Sequence, residues 1–544
     1  MEIRVWQGAV FFITALLSLP LVVIGGSFFF PSQAVWEHLA STVLADYIVN
    51  SGVLMLGVGA GVLVLGVGPA WVTTMRRFPG QRLFEWALLL PLAMPAYIIA
   101  YTYTGMLDFS GPIQSQLRTW FGWRYGDYWF PEVRSRGGAI VMLSLVLYPY
   151  VYLLARAAFL EQSICVLEVS RTLGCTARQS FYRVALPLAR PAIVAGLSLA
   201  LMETLADYGT VQYFGVSTFT TGIFRTWLGL GEEGAAAQLS ALLLVFVFLL
   251  FMVENWSRTH YHHTSQRYRP LPGHPLKGWQ TGAAFAMCFI PLLLGFLLPV
   301  AQLLHWSIAT AEKMVDASFA TLIFHSFSMA LSAAVLALAL ALLLAYGKRQ
   351  QPSPWMNFAI RAAGLGYAIP GAVIAVGVMI PFGLVDNTVD AWLRRHFGVS
   401  SGLLLSGTVF ALMFGYLVRF LAVSLNTVEA GLGKVRRNMD DAARSLGLGA
   451  LAALRRVHLP IMRGSLLTAV LLVFVDVLKE LPATLILRPF NFNTLAVRTY
   501  ELANQERLAD ASVSALTIVL IGLLPVILLS RSIARSRPGY DAGT

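Results

Sequence analysis

Four carboxylates interrupt stretches that are otherwise apolar, and they form two matched pairs. Glu203 and Asp207 are four residues apart, and so are Asp476 and Glu480, which places each pair on one face of a helix. The second pair follows the first at an offset of 273 residues (476 − 203 and 480 − 207). An ionisable group inside a membrane costs roughly 3 kcal/mol or more, so such acids normally face a bundle interior or water. Together they would form an anionic site suited to a hard cation bound by oxygen.

The same acids also have a structural interpretation. Lys479 is adjacent to Glu480, and Arg419 lies in another apolar stretch, so ion pairs with these cations would hold helices together or gate a pathway. A pathway for an oxyanion should instead offer Arg or Lys. An organic cation would call for aromatic partners, for which Tyr208 and Tyr213 are available.

The composition shows the kind of element that must position these acids. The chain has 544 residues, of which 57% are hydrophobic and only 12% are charged, and its mean hydropathy is +0.69. Soluble domains carry about a quarter charged residues, so this is an integral membrane protein. Runs of about 20 apolar residues favour helices over a barrel. The three cysteines form no CxxC pair and no zinc-type cluster.

Twelve apolar spans divide into two sets of six. The first set is 8–30, 49–75, 84–107, 137–160, 188–214 and 236–256, and the second is 279–304, 321–347, 359–382, 402–425, 461–486 and 513–534. Pro95 and Pro370 lie inside corresponding spans and predict a kink in each. We therefore expect an all-α membrane protein of twelve transmembrane helices.

The distribution of Lys and Arg predicts the orientation. If the N-terminus is cytoplasmic, 25 of the 39 basic residues fall on the cytoplasmic side. Both termini are then cytoplasmic, and the net charge of +12 reflects topology rather than binding to nucleic acid. Because six is an even number, both halves insert the same way, so the repeats are parallel. The predicted domains are a first repeat at 1–256, a cytoplasmic linker at 257–278 rich in Pro and Gly, and a second repeat at 279–544.

A polar, basic segment also occurs twice, at 165–187 and at 438–460. Each copy has an acid, then a glycine, then a Leu-Pro end, and the interval from glycine to proline is 13 residues in both (187 − 174 and 460 − 447). The acid suits a helix N-terminus, the glycine allows a sharp turn after a short helix, and the proline suits the first turn of the next helix. A short helix outside the bilayer can dock on a soluble partner; a surface helix with no partner is the alternative.

These two segments resemble the EAA motif of ABC-type importer permeases. The first copy reads Glu168-Val169-Ser170 and departs from the motif at both alanines, whereas the second reads Asp441-Ala442-Ala443 and departs at the acid. The resemblance implies a type I importer-like permease in which each copy is a coupling helix that docks on an ATPase subunit. The residues it assigns to coupling are Glu168, Arg171, Gly174, Asp441, Arg444 and Gly447. Two copies in one chain imply that two copies of the ATPase bind.

The sequence around both acid pairs is similar to the ferric-iron branch of these permeases. The stretches that carry this resemblance are 203–215, 220–227, 476–484 and 488–498. It implies import of Fe³⁺ from a periplasmic ferric-ion-binding protein across the bacterial inner membrane, with Glu203, Asp207, Asp476 and Glu480 along the pathway. The chain contains no GxxxxGK[ST] loop, so we expect no enzymatic activity and no cofactor in it, with ATP bound by the partner.

Several alternatives remain open at this point. Fused permeases for thiamine or a phosphonate share the two-copy layout. A secondary transporter driven by an ion gradient would use the acids to relay protons. Arg225 and Arg498 lie in external segments at the offset of 273 (498 − 225), where they would either receive a binding protein or pair with Glu232 and Glu501.

Overall fold

The computed structural model describes residues 2–29, 33–124, 126–161, 172, 174–258 and 274–535. Within these residues the chain is helical apart from two short parallel strands, β1 (Arg76–Arg77) and β2 (His274–Pro275). The helices up to β2 are α1 (Glu2–Gly26), α2 (Gln33–Thr42), α3 (Leu44–Met75), α4 (Gln81–Ala87), α5 (Ala96–Leu107), α6 (Pro112–Phe121), α7 (Arg136–Glu161), α8 (Ala177–Ser180), α9 (Leu186–Ala206), α10 (Gly209–Tyr213), α11 (Phe219–Phe224) and α12 (Glu233–Arg258).

The helices after β2 have the same character. They are α13 (Trp279–Leu292), α14 (Leu298–Met314), α15 (Ala317–Gln350), α16 (Pro354–Ala363), α17 (Gly371–Phe397), α18 (Val409–Gly433), α19 (Arg437–Ser445), α20 (Ala450–Ala453), α21 (Leu459–Lys479), α22 (Pro482–Leu487), α23 (Leu495–Asn504) and α24 (Leu508–Arg535). Short 3₁₀ turns occupy Ser27–Phe29, Leu90–Ala93 and Gly364–Ala368, and π-helical turns occupy Phe181–Ala185, Arg225–Leu230, Leu293–Leu297 and Leu454–His458.

The membrane spans agree with the apolar pattern. Among the described residues, 11 helical segments are long and apolar enough to cross a membrane, or 12 if one sharply bent pair is counted as a span. The bent pair, Gln81–Ala93 and Ala96–Phe121, coincides with the predicted span at 84–107. An all-helical membrane protein with this number of spans is therefore confirmed.

The two prolines expected to kink a helix instead separate two helical segments. Pro95 is the N-cap of α5 and Pro370 is the N-cap of α17, each with an extended ψ close to 140° (140° and 138°). A 3₁₀ turn precedes each of them, and at Pro95 the two segments differ in direction by 91°. Because proline has no N–H and clashes with the preceding turn, the helix ends and restarts there.

The helices form two compact units, and each unit contains segments from both halves of the chain. One unit consists of Met1–His38, Ile223–Leu242 and Val315–Arg498. In it, α1 packs on helices of the second half: Trp6 meets Tyr346 edge to face at 5.9 Å, and a Cβ at Gly377 would lie 2.6 Å from the Pro20 carbonyl oxygen. This close approach of backbones requires glycine at that position.

The other unit consists of Leu39–Gly222, Leu243–Met314 and Thr499–Thr544. Here helices α13, α14 and α24, from the second half of the chain, pack with α3–α7. Ser307 Oγ donates to Ser512 Oγ at 3.2 Å, and Thr310 Oγ1 donates to the Ala509 carbonyl at 3.1 Å. The first and last spans of the second half thus complete a core built by the first half.

An internal repeat is visible in the helix boundaries. The segment formed by α8, a π-helical turn and α9 covers 177–206, and the one formed by α20, a π-helical turn and α21 covers 450–479, with every boundary offset by 273 (450 − 177 and 479 − 206). Pro187 and Pro460 lie in the first turn after each π-helical turn. A wider turn before proline accommodates its ring and its missing N–H inside a continuous helix.

Candidate functional site

The first copy of the duplicated motif lies mostly outside the described residues. Glu168 and Arg171 are among the undescribed positions, whereas Gly174 is described and has φ of +86°. Gly447, the matching glycine of the second copy, has φ of +79°. Only glycine adopts this left-handed region without strain, so the sharp turn predicted after each acid is confirmed at both glycines.

The second copy forms the short helix α19, and Gly447 ends it. The Gly447 N–H donates to the Arg444 carbonyl at 2.9 Å, and the Leu448 N–H donates to the Ala443 carbonyl at 3.0 Å. These two bonds are the Schellman arrangement, which satisfies the last carbonyls of a helix. At the other end, Asp440 lies in the first turn, where a carboxylate is favoured by the helix dipole.

One face of α19 is exposed and carries apolar side chains. Leu446 is 80% exposed and Met439 is 40% exposed. The predicted coupling residues Asp441 and Arg444 are also exposed, and Arg444 Nη2 donates to Gln350 Oε1 at 3.0 Å. An exposed apolar and charged face on a short helix is the type of surface that fits a groove of another protein.

Asp440 holds α19 to other parts of the chain, a role that the sequence did not indicate. Asp440 Oδ1 accepts from His458 Nε2 at 2.5 Å, and Asp440 Oδ2 accepts from Arg349 Nε at 2.9 Å. Arg349 also donates to the carbonyls of Leu432 and Val435, at 2.8 and 2.7 Å. The only signal for this contact in the sequence was the pair of adjacent aspartates, Asp440 and Asp441, followed by His458 directly before the Leu-Pro end of the motif.

Glu480 is buried in an ion pair. Its carboxylate lies 3.1 Å from Arg419 Nη1, and the two side chains are 5% and 8% exposed. Glu480 Oε1 also accepts from the Ala483 N–H at 3.0 Å, so it caps the start of α22. A Cβ at Gly371, beside Pro370, would overlap both Arg419 Nη1 and Glu480 Oε1. The pair is therefore packed directly against the break that precedes α17.

Asp207 makes the equivalent cap without a basic partner. Its Oδ2 accepts from the backbone N–H groups of Thr210 and Val211, both at 3.1 Å, and its Oδ1 accepts from the Thr210 hydroxyl at 2.9 Å. Thr210 and Ala483, the residues capped by Asp207 and Glu480, are themselves 273 apart (483 − 210). Both acids therefore serve the same local purpose, which is to start a short helix after a membrane span.

The other two acids lie one turn earlier. Asp476 is 2.9 Å from Lys479 Nζ, an ion pair within α21. Glu203 is partly exposed on α9. The structural interpretation thus accounts for the ion pairs of Asp476 and Glu480. Glu203 and Asp207 belong to one compact unit, whereas Asp476 and Glu480 belong to the other. Among the residues that the structure describes, no group of three or more His, Cys, Asp or Glu has an arrangement that could hold a metal ion.

Three basic residues that lie within the spans are paired with carboxylates. Arg419 pairs with Glu480 and Lys479 with Asp476, as described above, and Arg156 Nη2 lies 2.8 Å from Glu85 Oε2. Both Arg156 and Arg419 are less than a tenth exposed. An oxyanion would have to compete with a carboxylate at each of these cations, which makes them poor oxyanion sites.

Arg225 and Arg498 occupy short segments after α9 and α21. Arg225 begins the π-helical turn Arg225–Leu230 and is exposed, whereas Arg498 lies in α23 and is partly buried. These short helices between spans agree with the expected re-entrant or interfacial segments. Their role, contact with a binding protein or an internal ion pair, stays a prediction.

A second ion pair of interest was not expected from the sequence. Arg134 Nη1 lies 2.8 Å from Glu506 Oε1, and Arg134 Nη2 donates to Glu506 Oε2 at 2.9 Å, which is a bidentate contact. The Arg134 guanidinium also lies 5.0 Å from the ring centre of Tyr213. The hydrogen bond that Arg134 donates to the Glu506 carboxylate raises the pKa of Arg134 above its usual value. Glu506 has φ of +60°, a conformation that is strained for a side-chain-bearing residue.

Comparison with known proteins gives consistent relatives. The family described as "Binding-protein-dependent transport system inner membrane component" matches residues 62–258. The Fe(3+)-transport system permease protein FbpB 2 of Haemophilus influenzae is 26% identical over 501 residues, which cover 91% of each chain. The ferric transport system permease protein FbpB of Actinobacillus pleuropneumoniae is 23% identical, covering 89% of this chain and 73% of the relative. The molybdenum transport system permease protein ModB of Escherichia coli (strain K12) is 24% identical over 193 residues, covering 34% of this chain and 81% of the relative.

Proposed function

Because this chain belongs to the inner-membrane permeases of binding-protein-dependent ABC importers, we propose that it carries ferric iron from a periplasmic binding protein into the cytoplasm. One observation carries the substrate assignment. The relatives whose similarity extends over both halves of the chain include ferric-iron permeases, whereas the molybdenum permease aligns with about a third of it.

The charges inside the spans support a cation as substrate. Three basic residues that lie within spans, Arg156, Arg419 and Lys479, are each within 3.1 Å of a carboxylate. An anionic substrate would meet these carboxylates as well as the cations, and like charges repel. A trivalent cation would instead be attracted by oxygen ligands that are fixed at helix ends.

We place the ferric pathway along the two acid pairs. Glu203 and Asp207 lie at the end of α9, and Asp476 and Glu480 lie at the end of α21. Asp207 already accepts three hydrogen bonds, but each carboxylate oxygen has two lone pairs, so it retains the capacity to bind a passing cation. Iron would be bound weakly and in passing, which suits transport better than a closed metal site does.

Two copies of a separate ATPase subunit would dock at the cytoplasmic face, one on each copy of the duplicated motif. The exposed apolar face of α19 around Leu446 and Met439 supports such a contact. The excess of basic residues on the same side supports cytoplasmic termini. ATP binding would close the ATPase dimer, move both docking helices and shift the permease between inward-facing and outward-facing states.

The test is reconstitution of the full chain in liposomes with candidate ATPase and binding-protein partners. We expect ATP hydrolysis to be stimulated by the ferric-loaded binding protein and iron-55 to accumulate inside. Stimulation by a thiamine-loaded or phosphonate-loaded carrier, with none by the ferric-loaded carrier, would overturn the substrate assignment. Iron uptake driven by an ion gradient without ATP would overturn the importer mechanism.

The acid pathway has its own variant. The quadruple change Glu203→Gln, Asp207→Asn, Asp476→Asn and Glu480→Gln should abolish iron-55 uptake by correctly inserted protein. Glu132→Gln, at an exposed position outside the spans, is the matched control and should transport normally. Wild-type uptake by the quadruple variant would show that the acids do not line the pathway.

A further inference from the structure

The docking helix α19 is fixed to two membrane helices through one carboxylate. Asp440 binds Arg349, the penultimate residue of α15, through Oδ2, and binds His458, which precedes α21, through Oδ1. His458 is 1% exposed, and Asp440 and Arg349 are 16% and 15% exposed. An ionised carboxylate only accepts hydrogen bonds, so His458 Nε2 is the donor in this contact.

Further bonds reinforce the same junction. Arg349 anchors the backbone at Leu432 and Val435, just before α19, through its two terminal nitrogens. The Tyr346 hydroxyl donates to the Ala450 carbonyl at 2.8 Å, and its ring lies 5.3 Å from the His458 ring. Asp440 is therefore the side chain of α19 at which the contacts to α15 and α21 meet. Charge-assisted bonds of this length in a mostly buried setting are stronger than neutral ones.

We propose that Asp440 is a positioning residue that transmits movement of α19 to α15 and α21, so that it couples ATP hydrolysis to transport. This inference rests on the proposed docking of an ATPase subunit on α19. Because one carboxylate holds both membrane helices, a displacement of α19 moves them together rather than one after the other. Helix α21 leads directly to Asp476 and Glu480, so the movement reaches the proposed iron pathway.

The first copy of the motif has other residues at the positions that match the aspartate and the histidine. At the offset of 273, Asp440 corresponds to Leu167, His458 to Ala185 and Arg349 to Arg76. Leucine and alanine have no group that could replace the carboxylate or the imidazole. Arg76 belongs to β1, which pairs with the linker strand β2. The contacts of Asp440 with Arg349 and His458 are therefore assigned to the second copy of the motif alone.

The experiment measures ATP hydrolysis by the reconstituted complex, with and without loaded binding protein. Asp440→Asn preserves shape and removes the charge. We expect it to keep ATPase binding and basal hydrolysis but to lower stimulation by the binding protein about fivefold or more, the lower end of typical coupling effects. Glu429→Gln is the control, because Glu429 pairs with Lys348 at 2.8 Å at the same end of α15 but does not touch α19. It should leave stimulation unchanged.

A second pair of variants tests the same contact if Asp440→Asn assembles poorly. His458→Gln keeps an N–H donor near the position of Nε2 and should retain stimulation, whereas His458→Ala should lose it. Normal stimulation in both Asp440→Asn and His458→Ala would overturn the coupling role, as would equal loss in Glu429→Gln. If the wild-type complex is stimulated by no carrier, the proposed function fails instead, so the two failures are distinguishable.

Discussion

The buried ion pair between Arg419 and Glu480 gives the sharpest prediction about stability. The perturbations are Arg419→Met, Glu480→Gln and the two together. Glu480→Gln keeps an oxygen that can accept from the Ala483 N–H, so it removes the charge and little else. Arg419→Met keeps an unbranched chain of similar length and removes the guanidinium. Each single variant therefore leaves one buried charge without its oppositely charged partner, and the double variant leaves no buried charge at this site.

The expected magnitudes follow from the separation and burial of the pair. At 3.1 Å and an effective dielectric constant near 20, the attraction is about 5 kcal/mol. Desolvation of two ions costs several kcal/mol each, which cancels most of this gain. Either single variant should lower the free energy of unfolding by about 3–5 kcal/mol, because the remaining charge stays buried. The double variant should lie within about 1 kcal/mol of the wild type, giving a large coupling energy.

The assay is unfolding in mixed micelles by titration with sodium dodecyl sulfate, followed by tryptophan fluorescence. This reasoning would be refuted if each single variant lowered the free energy of unfolding by less than about 1 kcal/mol. It would also be refuted if the loss in the double variant equalled the sum of the losses in the two single variants. Iron-55 uptake by the stable double variant then separates the two interpretations of Glu480. Normal uptake would make Glu480 a structural cap alone, whereas loss of uptake at full stability would place it on the pathway.

Three further predictions concern backbone and surface positions. Gly447→Ala places a side chain at a left-handed backbone position at the end of α19, so it should reduce the local stability of this helix by about 1–2 kcal/mol. We expect faster amide hydrogen exchange in α19 and weaker ATPase binding. The control Gly449→Ala, at a position with φ of −68°, should change neither measurement. Gly371→Ala places a methyl group against the Arg419–Glu480 pair and should destabilise the protein by about 1–3 kcal/mol in the same unfolding titration; no change would show that the pair can shift at no cost. Glu506→Gln breaks a bidentate pair that is 38% and 58% exposed, so it should lower the free energy of unfolding by less than about 1 kcal/mol, and a loss above about 3 kcal/mol would contradict the surface character of that contact.

The sequence predicted the features that depend on local chemistry. Apolar runs gave the spans because a bilayer requires about 20 consecutive apolar residues. The glycines at 174 and 447 gave sharp turns because only glycine enters the left-handed region freely. The offset of 273 appeared again in the helix boundaries of α8–α9 and α20–α21. Each of these follows from residues close together in the chain.

The features that were missed depend on contacts between distant residues. Asp440 and Asp441 are adjacent and chemically identical, yet Asp440 binds Arg349, which is 91 residues away, and Asp441 is exposed. The packing of α1 on helices of the second half likewise has no local signature, since its apolar surface would suit lipid or protein equally. Pro95 and Pro370 were predicted to kink a helix, but the helix ends and restarts at each of them, and the direction changes by 91° at the first one.

Helix α21 connects the two ends of the proposed mechanism in the second half. Its 21 residues span about 31 Å. At its start His458 is bound to Asp440 of the docking helix, and at its end Glu480 is bound to Arg419 of α18. Helix α21 is therefore held at both ends by charged contacts, so displacement of one end cannot be absorbed by a loose junction at the other.

The matching helix of the first half, α9, carries different residues at the corresponding positions. Ala185 replaces the histidine at its start, and Val146 stands at the position that matches Arg419 (419 − 273). At its end Asp207 accepts hydrogen bonds from Thr210 and Val211, and in the described part of the chain it forms no ion pair. These hydrogen bonds are charge-assisted, but they join α9 to the short helix that follows it rather than to another span. We therefore expect the end of α21, which is tied to another span through Arg419, to be held more firmly than the end of α9.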